Sequence, residues 1–312
     1  MTKIGVVGAG AVGSACMFAL VTHGSADEIV LVNRSYDRAK GVVTDLQYGA
    51  TVCRPVQLRP GDYRDLAESS VVVITAGINE KAGGATNRND PAGRLKLLES
   101  NATVYRDIVP KIVAAAPGAI ILVVTDPPDP LADLARRLAS HDRVLSSGAY
   151  LDSLRFRFHL ARRLDVSPTS IEAYVLGEHG TSEVFLWSQA RIAGASILER
   201  LALDGPETEN FRRSVESEVR YANITIIEGI GASQFGIGIA TARIVEAILR
   251  DEKVVFPVGS YHPDYGAHFS LPSVVGRGGV SRVLKPNMTE EEKRALQHSA
   301  DTLRQAAARV AV

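Results

Sequence analysis

Cysteine is nearly absent: Cys16 and Cys53 are the only two, too few for a disulfide framework and without the partner spacing of a zinc site or a redox Cys-x-x-Cys. Both are expected as buried small hydrophobes. Net charge is absent as well. Thirty-five Lys and Arg balance thirty-five Asp and Glu, so no global field draws the chain to nucleic acid or to an anionic membrane surface. No apolar run long enough to span a membrane escapes interruption, since about 20 such residues are needed. The uncharged stretch from Ile4 to His23 is broken by glycines at 5, 8, 10 and 13, and a strand pattern resumes directly at Glu28. No targeting signal is visible, and the cytoplasm is the expected compartment. Gly-x-Ser-x-Gly and His-Glu-x-x-His are both missing, which disfavours a serine hydrolase and a zinc peptidase, and no metal site is expected.

Core material is plentiful: 46% of the 312 residues are apolar against 22% charged. A chain of this length exceeds what one core usually fills, so two domains are expected, 1–147 and 148–312. In the first, short β-rich runs (Lys3–Gly8, Glu28–Asn33, Val71–Thr75, Ala119–Thr125, Val144–Ser147) alternate with helical patterns (Ala11–His23, Asp37–Tyr48, Leu95–Ala116, Pro130–Ala139). That alternation predicts an α/β fold, a Rossmann-type doubly wound parallel sheet. After Gly148 the texture changes to longer helices (Ser153–Leu164, Pro206–Glu228, Gly236–Arg250, Thr289–Val312) around a few strands (Ile171–Leu176, Val254–Tyr261, Ser273–Gly276), an α+β substrate domain. The irregular stretch Ala82 to Gly93 is too long for a minimal turn, and such loops are usually either mobile or functional.

Gly8-Ala9-Gly10-Ala11-Val12-Gly13 follows the first strand and opens the first helix, the context in which Gly-x-Gly-x-x-Gly binds a dinucleotide. Gly8, Gly10 and Gly13 serve a tight turn, close approach of a pyrophosphate and close helix packing, and Val12 sits in the same turn. At the end of the second strand an NAD-binding chain places an acidic residue on the ribose hydroxyls; here Asn33 stands there, followed by Arg34 and Ser35. Loss of the carboxylate removes repulsion toward a 2′-phosphate, and Arg34 has the geometry to pair with one. The cofactor is expected to be NAD or NADP, the balance falling toward NADP; Asn33 bonding a hydroxyl while Arg34 points to solvent is the alternative.

Leu151-Asp152-Ser153-Leu154-Arg155-Phe156-Arg157, Leu176-Gly177-Glu178-His179-Gly180, Thr75-Ala76-Gly77 and Val184-Phe185-Leu186-Trp187-Ser188 together resemble the lactate/malate dehydrogenase family. The resemblance runs from the first strand to the last helix. It implies reversible hydride transfer between a nicotinamide and a small 2-hydroxy acid, in a homodimer or homotetramer. It also implies a nicotinamide-side wall of Thr75, Ala76, Gly77 and Val124. The residues suit that chemistry: Arg155 matches a carboxylate bidentately, and His179 has an imidazole whose ordinary range allows reversible proton transfer near neutrality. By resemblance Asp152 orients and charges His179. The bland alternatives are a surface ion pair between Asp152 and Arg155 and a turn histidine. The other six histidines, His23, His141, His159, His262, His268 and His298, are expected to be structural or exposed.

The family also carries a loop arginine that polarises the substrate carbonyl. Arg94 keeps the family's distance to the following Asn101 and is the first choice, with Arg88 the fallback because the loop is longer than usual. Three departures bear on the substrate. Asp126 replaces the asparagine of a Ser-Asn-Pro segment that borders both substrate and nicotinamide. Glu80 stands where lactate enzymes carry Gln and malate enzymes Arg, which argues against a substrate with a second carboxylate. Thr181 replaces an aspartate after Gly-Glu-His-Gly. Ser233 matches a substrate-contacting position, although a helix-capping serine fits equally. Competing functions are malate dehydrogenase activity, a non-catalytic NAD(P)-binding or sensing protein, and an NAD- and metal-dependent glycosidase, for which the cysteines are misplaced.

Overall fold

A computed structural model of the chain describes residues 2–83, 86–87, 90, 93–201 and 205–311. Six parallel strands come first: β1 (Lys3–Val7), β2 (Glu28–Val32), β3 (Gln57–Gly61), β4 (Val71–Ile74), β5 (Ile120–Val123) and β6 (Val144–Ser146). They lie in the order β3-β2-β1-β4-β5-β6. Four helices connect them: α1 (Ala11–Thr22), α2 (Tyr36–Ala50), α3 (Leu98–Ala115) and α4 (Pro128–Ala139). The strands are apolar on both faces because helices cover both. Ile4, Val6, Ile29, Leu31, Val71 and Val73 enter one core layer, and Val7, Val30, Val32, Val72 and Ile74 the other. The strand order reverses between the parallel neighbours β1 and β4, which leaves a crevice beyond their carboxyl ends, where open α/β sheets bind ligands.

The second half begins with α5 (Tyr150–Leu164) and five two-residue strands, β7 (Ile171–Glu172), β8 (Val175–Leu176), β9 (Val184–Phe185), β10 (Arg191–Ile192) and β11 (Ala195–Ser196). Helices α6 (Ile197–Leu201), α7 (Gly205–Arg220), α8 (Ala222–Ile230) and α9 (Phe235–Leu249) follow. The chain closes with β12 (Val254–His262), β13 (Ala267–Gly276), β14 (Gly279–Val283) and α10 (Glu290–Arg309). The last three strands extend the first sheet: β12 pairs antiparallel with β6 through Gly259 and Ser146, giving nine strands in all. At this joint a Cβ on Gly259 would stand 1.9 Å from Ser146 Oγ, so the seam closes only around glycine.

Several elements differ from the sequence expectation. β3 was unforeseen because Gln-Leu-Arg-Pro-Gly is polar and contains proline, which an edge strand tolerates. The helix expected over Pro206–Glu228 is interrupted at Tyr221, with no glycine or proline to announce it. The strand expected over Ile171–Leu176 is two strands in separate sheets. Cys16 is fully buried, and burial pushes its thiol up to about 12; Cys53 is only partly buried, against expectation. Among the described residues no helix is long and apolar enough to cross a membrane.

Candidate functional site

The glycine turn is shaped by contacts no side chain could share. A Cβ on Gly13 would stand 1.9 Å from the Gly8 carbonyl oxygen, and one on Gly8, at φ +116°, would meet Ala76 N and Thr75 Oγ1 at 2.7 Å. A Cβ on Gly10 would meet nothing within 4 Å, because it would project into the open crevice. α1 has no side-chain cap and no acidic residue in its first turn, so its leading N–H groups remain available to an anion. These features fit a dinucleotide pyrophosphate. Thr75 Oγ1 donates within this turn, lying 3.1 Å from the Gly8 carbonyl oxygen and 3.3 Å from that of Val7.

Asn33 is used by the protein itself: its Oδ1 accepts from Ala9 N–H at 3.1 Å and its Nδ2 donates to the Ser35 carbonyl at 3.1 Å. Ser35 caps α2, accepting from Arg38 N–H, and Arg34 is exposed. Arg38, which sequence reasoning passed over, donates from Nε to the Ala9 carbonyl at 2.7 Å and so braces the same loop.

At the other end of the crevice, β8 delivers His179 into the loop before β9. Its backbone is clamped from several directions. His179 N–H donates to Asp129 Oδ2 at 2.8 Å, and Glu178 N–H to Ser299 Oγ on α10 at 2.7 Å. The Glu178 carboxylate accepts from Ser182 N–H at 3.0 Å and Ser182 Oγ at 2.5 Å, closing the loop on itself. His179 Nδ1 bonds Asp152 Oδ2, while Asp152 Oδ1 accepts from Arg155 Nη1 at 2.9 Å. Asp152 is only 2% exposed, so one buried carboxylate on the first turn of α5 orients both the imidazole and the guanidinium. His179 Nε2 faces the crevice with Asp126 Oδ1 3.8 Å away.

Asp129 is fully buried at the start of α4, accepting from Ser146 Oγ at 2.6 Å as well as from His179 N–H. Burial raises its carboxyl from 3.8 to about 6, a rise opposed by those two hydrogen bonds. Asn101 on α3 donates to the Asp126 carbonyl at 2.6 Å and accepts from Ile78 N–H at 2.7 Å, tying the segment after β4 to the segment after β5.

The crevice brings together Gly10, Val12, Thr75, Gly77 and Val124 on its nucleotide side with Asp126, Arg155, His179, Glu80 and Ser233 on the other. Ser233 does not cap α9, whose N-cap is Gln234 without a side-chain bond. Glu80 accepts from Asn223 Nδ2 at 3.4 Å, and Asn223 also lines the crevice. Gly8, Gly13 and Ala76 shape the wall from behind, while Asn33, Arg34 and Ser35 stand off this part of it. Arg88 and the side chain of Arg94 lie outside the described residues. Besides Arg38, the residues to which sequence reasoning gave no role are Asp129, Ser146, Glu178, Ser182, Asn223 and Ser299. Only the Gly-Glu-His-Gly-Thr-Ser run carried a local signal for any of them.

Comparison with known proteins agrees along the whole chain. Residues 2–145 match the model of the lactate/malate dehydrogenase NAD-binding domain, and residues 149–311 that of the lactate/malate dehydrogenase alpha/beta C-terminal domain. The L-lactate dehydrogenase of Deinococcus radiodurans is 45% identical, covering 97% of both chains, and that of Thermus aquaticus 41%, covering 98% of both. The minor L-lactate dehydrogenase of Enterococcus mundtii, solved in a ligand-bound form, superposes with a TM-score of 0.90 at 32% identity, covering 100% of this chain and 99% of its own. With its two halves matched in order, and with the glycine turn facing the Asp152, Arg155 and His179 cluster, the chain belongs to the lactate/malate dehydrogenase family.

Proposed function

We propose that the chain is an L-lactate dehydrogenase, interconverting pyruvate, or a closely related small 2-oxo acid, with its 2-hydroxy acid. The observation that carries this reading is Asp152 holding the His179 imidazole and the Arg155 guanidinium side by side, at the end of a crevice whose other end is the glycine turn. In this reading Arg155 binds the substrate carboxylate. His179 Nε2 gives its proton to the 2-oxo oxygen on reduction and takes it back on oxidation, and Asp152 stabilises the imidazolium. Bound NAD(H) supplies or accepts the hydride. Arg94 is assigned to the carbonyl on its spacing from Asn101, Arg88 being the alternative. Residues 1–147 hold the dinucleotide and 148–312 supply the substrate chemistry.

NAD is the cofactor the family model's description names, and the comparisons give the expected balance toward NADP no support. The finer proposal is that NAD(H) is preferred while NADP(H) is tolerated, because Asn33 puts no carboxylate beside the ribose and Arg34 is exposed. A substrate with a second carboxylate is disfavoured, since Glu80 and Asp126 share the crevice. The chain is taken to work in the cytoplasm as a homodimer or homotetramer. Exposed apolar side chains on α1 and α9, Phe18, Phe235 and Ile239, each more than half exposed, support self-association.

Oxidation of NADH and NADPH by the purified protein, across 2-oxo acids with small, acidic, basic and bulky side chains, tests the reading. Pyruvate or another small 2-oxo acid turns over fastest with NADH, and oxaloacetate slowly. Silence across the panel with NADH still bound would leave a binding protein.

A further inference from the structure

Ala9, between the first two glycines of the nucleotide turn, is held at both its N–H and its carbonyl. The N–H donates to Asn33 Oδ1 at 3.1 Å, and the carbonyl accepts from Arg38 Nε at 2.7 Å. Asn33 stands at the end of β2, where a dinucleotide-binding sheet sets its contact to the adenine ribose. Both side chains converge on one residue, so the Arg38 guanidinium is fixed beside the ribose position.

Arg38 is tied through its backbone as well, its N–H donating to the Ser35 cap of α2 at 3.4 Å. The Nε bond orients the guanidinium plane and leaves its two terminal nitrogens, with four N–H donors, without a partner among the described residues. Arg34, the cation beside Asn33, is exposed and makes no hydrogen bond among the described residues, so nothing there fixes its side chain. The acid on the first turn of α2, Asp37, lies along another face of the helix, in a shallow groove with Lys40, Thr44 and Tyr48.

Two things decide whether a ribose site accepts a 2′-phosphate: the absence of a carboxylate at the strand end, and donors already in place for the phosphate oxygens. Asn33 meets the first condition. Arg38 meets the second, since a guanidinium held by its Nε grips an anion without the loss of freedom that an unfixed arginine suffers. A neutral ribose hydroxyl gains far less from the same cation.

We propose that Arg38 receives the 2′-phosphate of NADP(H), so that tolerance of the second cofactor is set by α2 through a residue that also braces the glycine turn. The inference rests on the dehydrogenase reading above and specifies one cofactor contact within it. Bracing and phosphate binding use different nitrogens of one side chain, and they separate by substitution. In Arg38→Gln the amide Nε2 takes the place of the arginine Nε and keeps a donor for the Ala9 carbonyl, while the terminal nitrogens and the charge are gone. Arg38→Met loses the brace too.

The experiment is equilibrium binding of NADH and NADPH to the purified full chain, followed by cofactor fluorescence, with 5′-AMP and adenosine 2′,5′-bisphosphate as calorimetric probes that carry no nicotinamide. Wild type should bind NADPH within about 10-fold of NADH, the phosphate contact nearly offsetting the cost of its desolvation. Arg38→Gln should weaken NADPH and the bisphosphate by about 30-fold, leaving NADH and 5′-AMP within about 2-fold of wild type. Arg38→Met should lose NADPH to the same degree and weaken NADH by about 5-fold besides. Equal effects of Arg38→Gln on both cofactors, or no effect on either, would overturn the proposal and leave Arg38 a brace alone. Wild type binding NADH but not NADPH would overturn it as well, with the dehydrogenase reading intact. Failure of wild type to bind either cofactor would overturn both.

Discussion

The two ends of the crevice are built by opposite means. The nucleotide end is made of backbone: Gly8, Gly10 and Gly13 create a surface by lacking side chains, and the free N–H groups of α1 supply its polarity. The chemical end is made of side chains brought from far apart in sequence. Asp126 and Asp129 follow β5, Ser146 ends β6, Asp152 and Arg155 open α5, His179 follows β8, and Ser299 comes from α10. Space matters most at the first end and charge at the second, so substitutions should fail differently at the two.

His179→Asn should have the largest effect, lowering kcat by about 1,000-fold or more while NADH binding, followed by its fluorescence, stays within a few-fold of wild type. Equal loss of both would merge the two ends and remove the contrast. Gly13→Ala should lower folding stability by about 3 kcal/mol as well as cofactor affinity, because its Cβ meets backbone. Gly10→Ala, facing open space, should fold with near wild-type stability and lose NADH affinity alone. Thermal melting with and without NADH separates these outcomes. Arg155→Lys should raise the KM for the 2-oxo acid by about 30-fold, with a smaller change in kcat, since an ammonium cannot grip a carboxylate and Asp152 in the same fork.

Asp129 gives the chemical end a pH signature. The native state holds the Asp129 proton up to about 6, whereas the unfolded chain releases it near 3.8. The stability this contributes is fully present below about pH 4 and lost as pH rises through 6. Asp129→Asn keeps an acceptor for His179 N–H and reverses the bond to Ser146, its amide donating to the Oγ that donates to Asp129 in the wild type. Urea unfolding at pH 4.5 and pH 7 should therefore show the stability difference moving about 2 kcal/mol in favour of the asparagine variant. An unchanged difference would mean that the carboxyl titrates alike in both states. Arg34→Ala should be the mildest change, weakening NADPH by about 10-fold and NADH little; equal effects would reject a phosphate contact.

How far the sequence could be read follows the same division. The glycine turn was legible because its determinants lie within six consecutive residues, and the strands β1, β2, β4, β5 and β6 because burial on both faces leaves continuous apolar runs. β3 was hidden by the polarity an edge strand tolerates, and the seam of β12 against β6 by its dependence on a single pair, Gly259 with Ser146. At the chemical end the resemblance named Asp152, Arg155 and His179, and the structure brings them together. It could not reveal that Asp129 and Ser299 hold the histidine loop by its backbone, because neither partner leaves a pattern in local sequence. Asn101, used only as a ruler for the loop arginine, proves to be the tie between Ile78 and Asp126.

The central claim is hydride transfer at this crevice, and isotope tracing tests it most directly. The protein is incubated with pyruvate and NADH deuterated at both C4 positions of the nicotinamide, and the product is examined by mass spectrometry. The account predicts lactate carrying one deuterium at C2, formed by wild type and all but lost in His179→Asn. Lactate without deuterium, or no product while NADH remains bound, would contradict it.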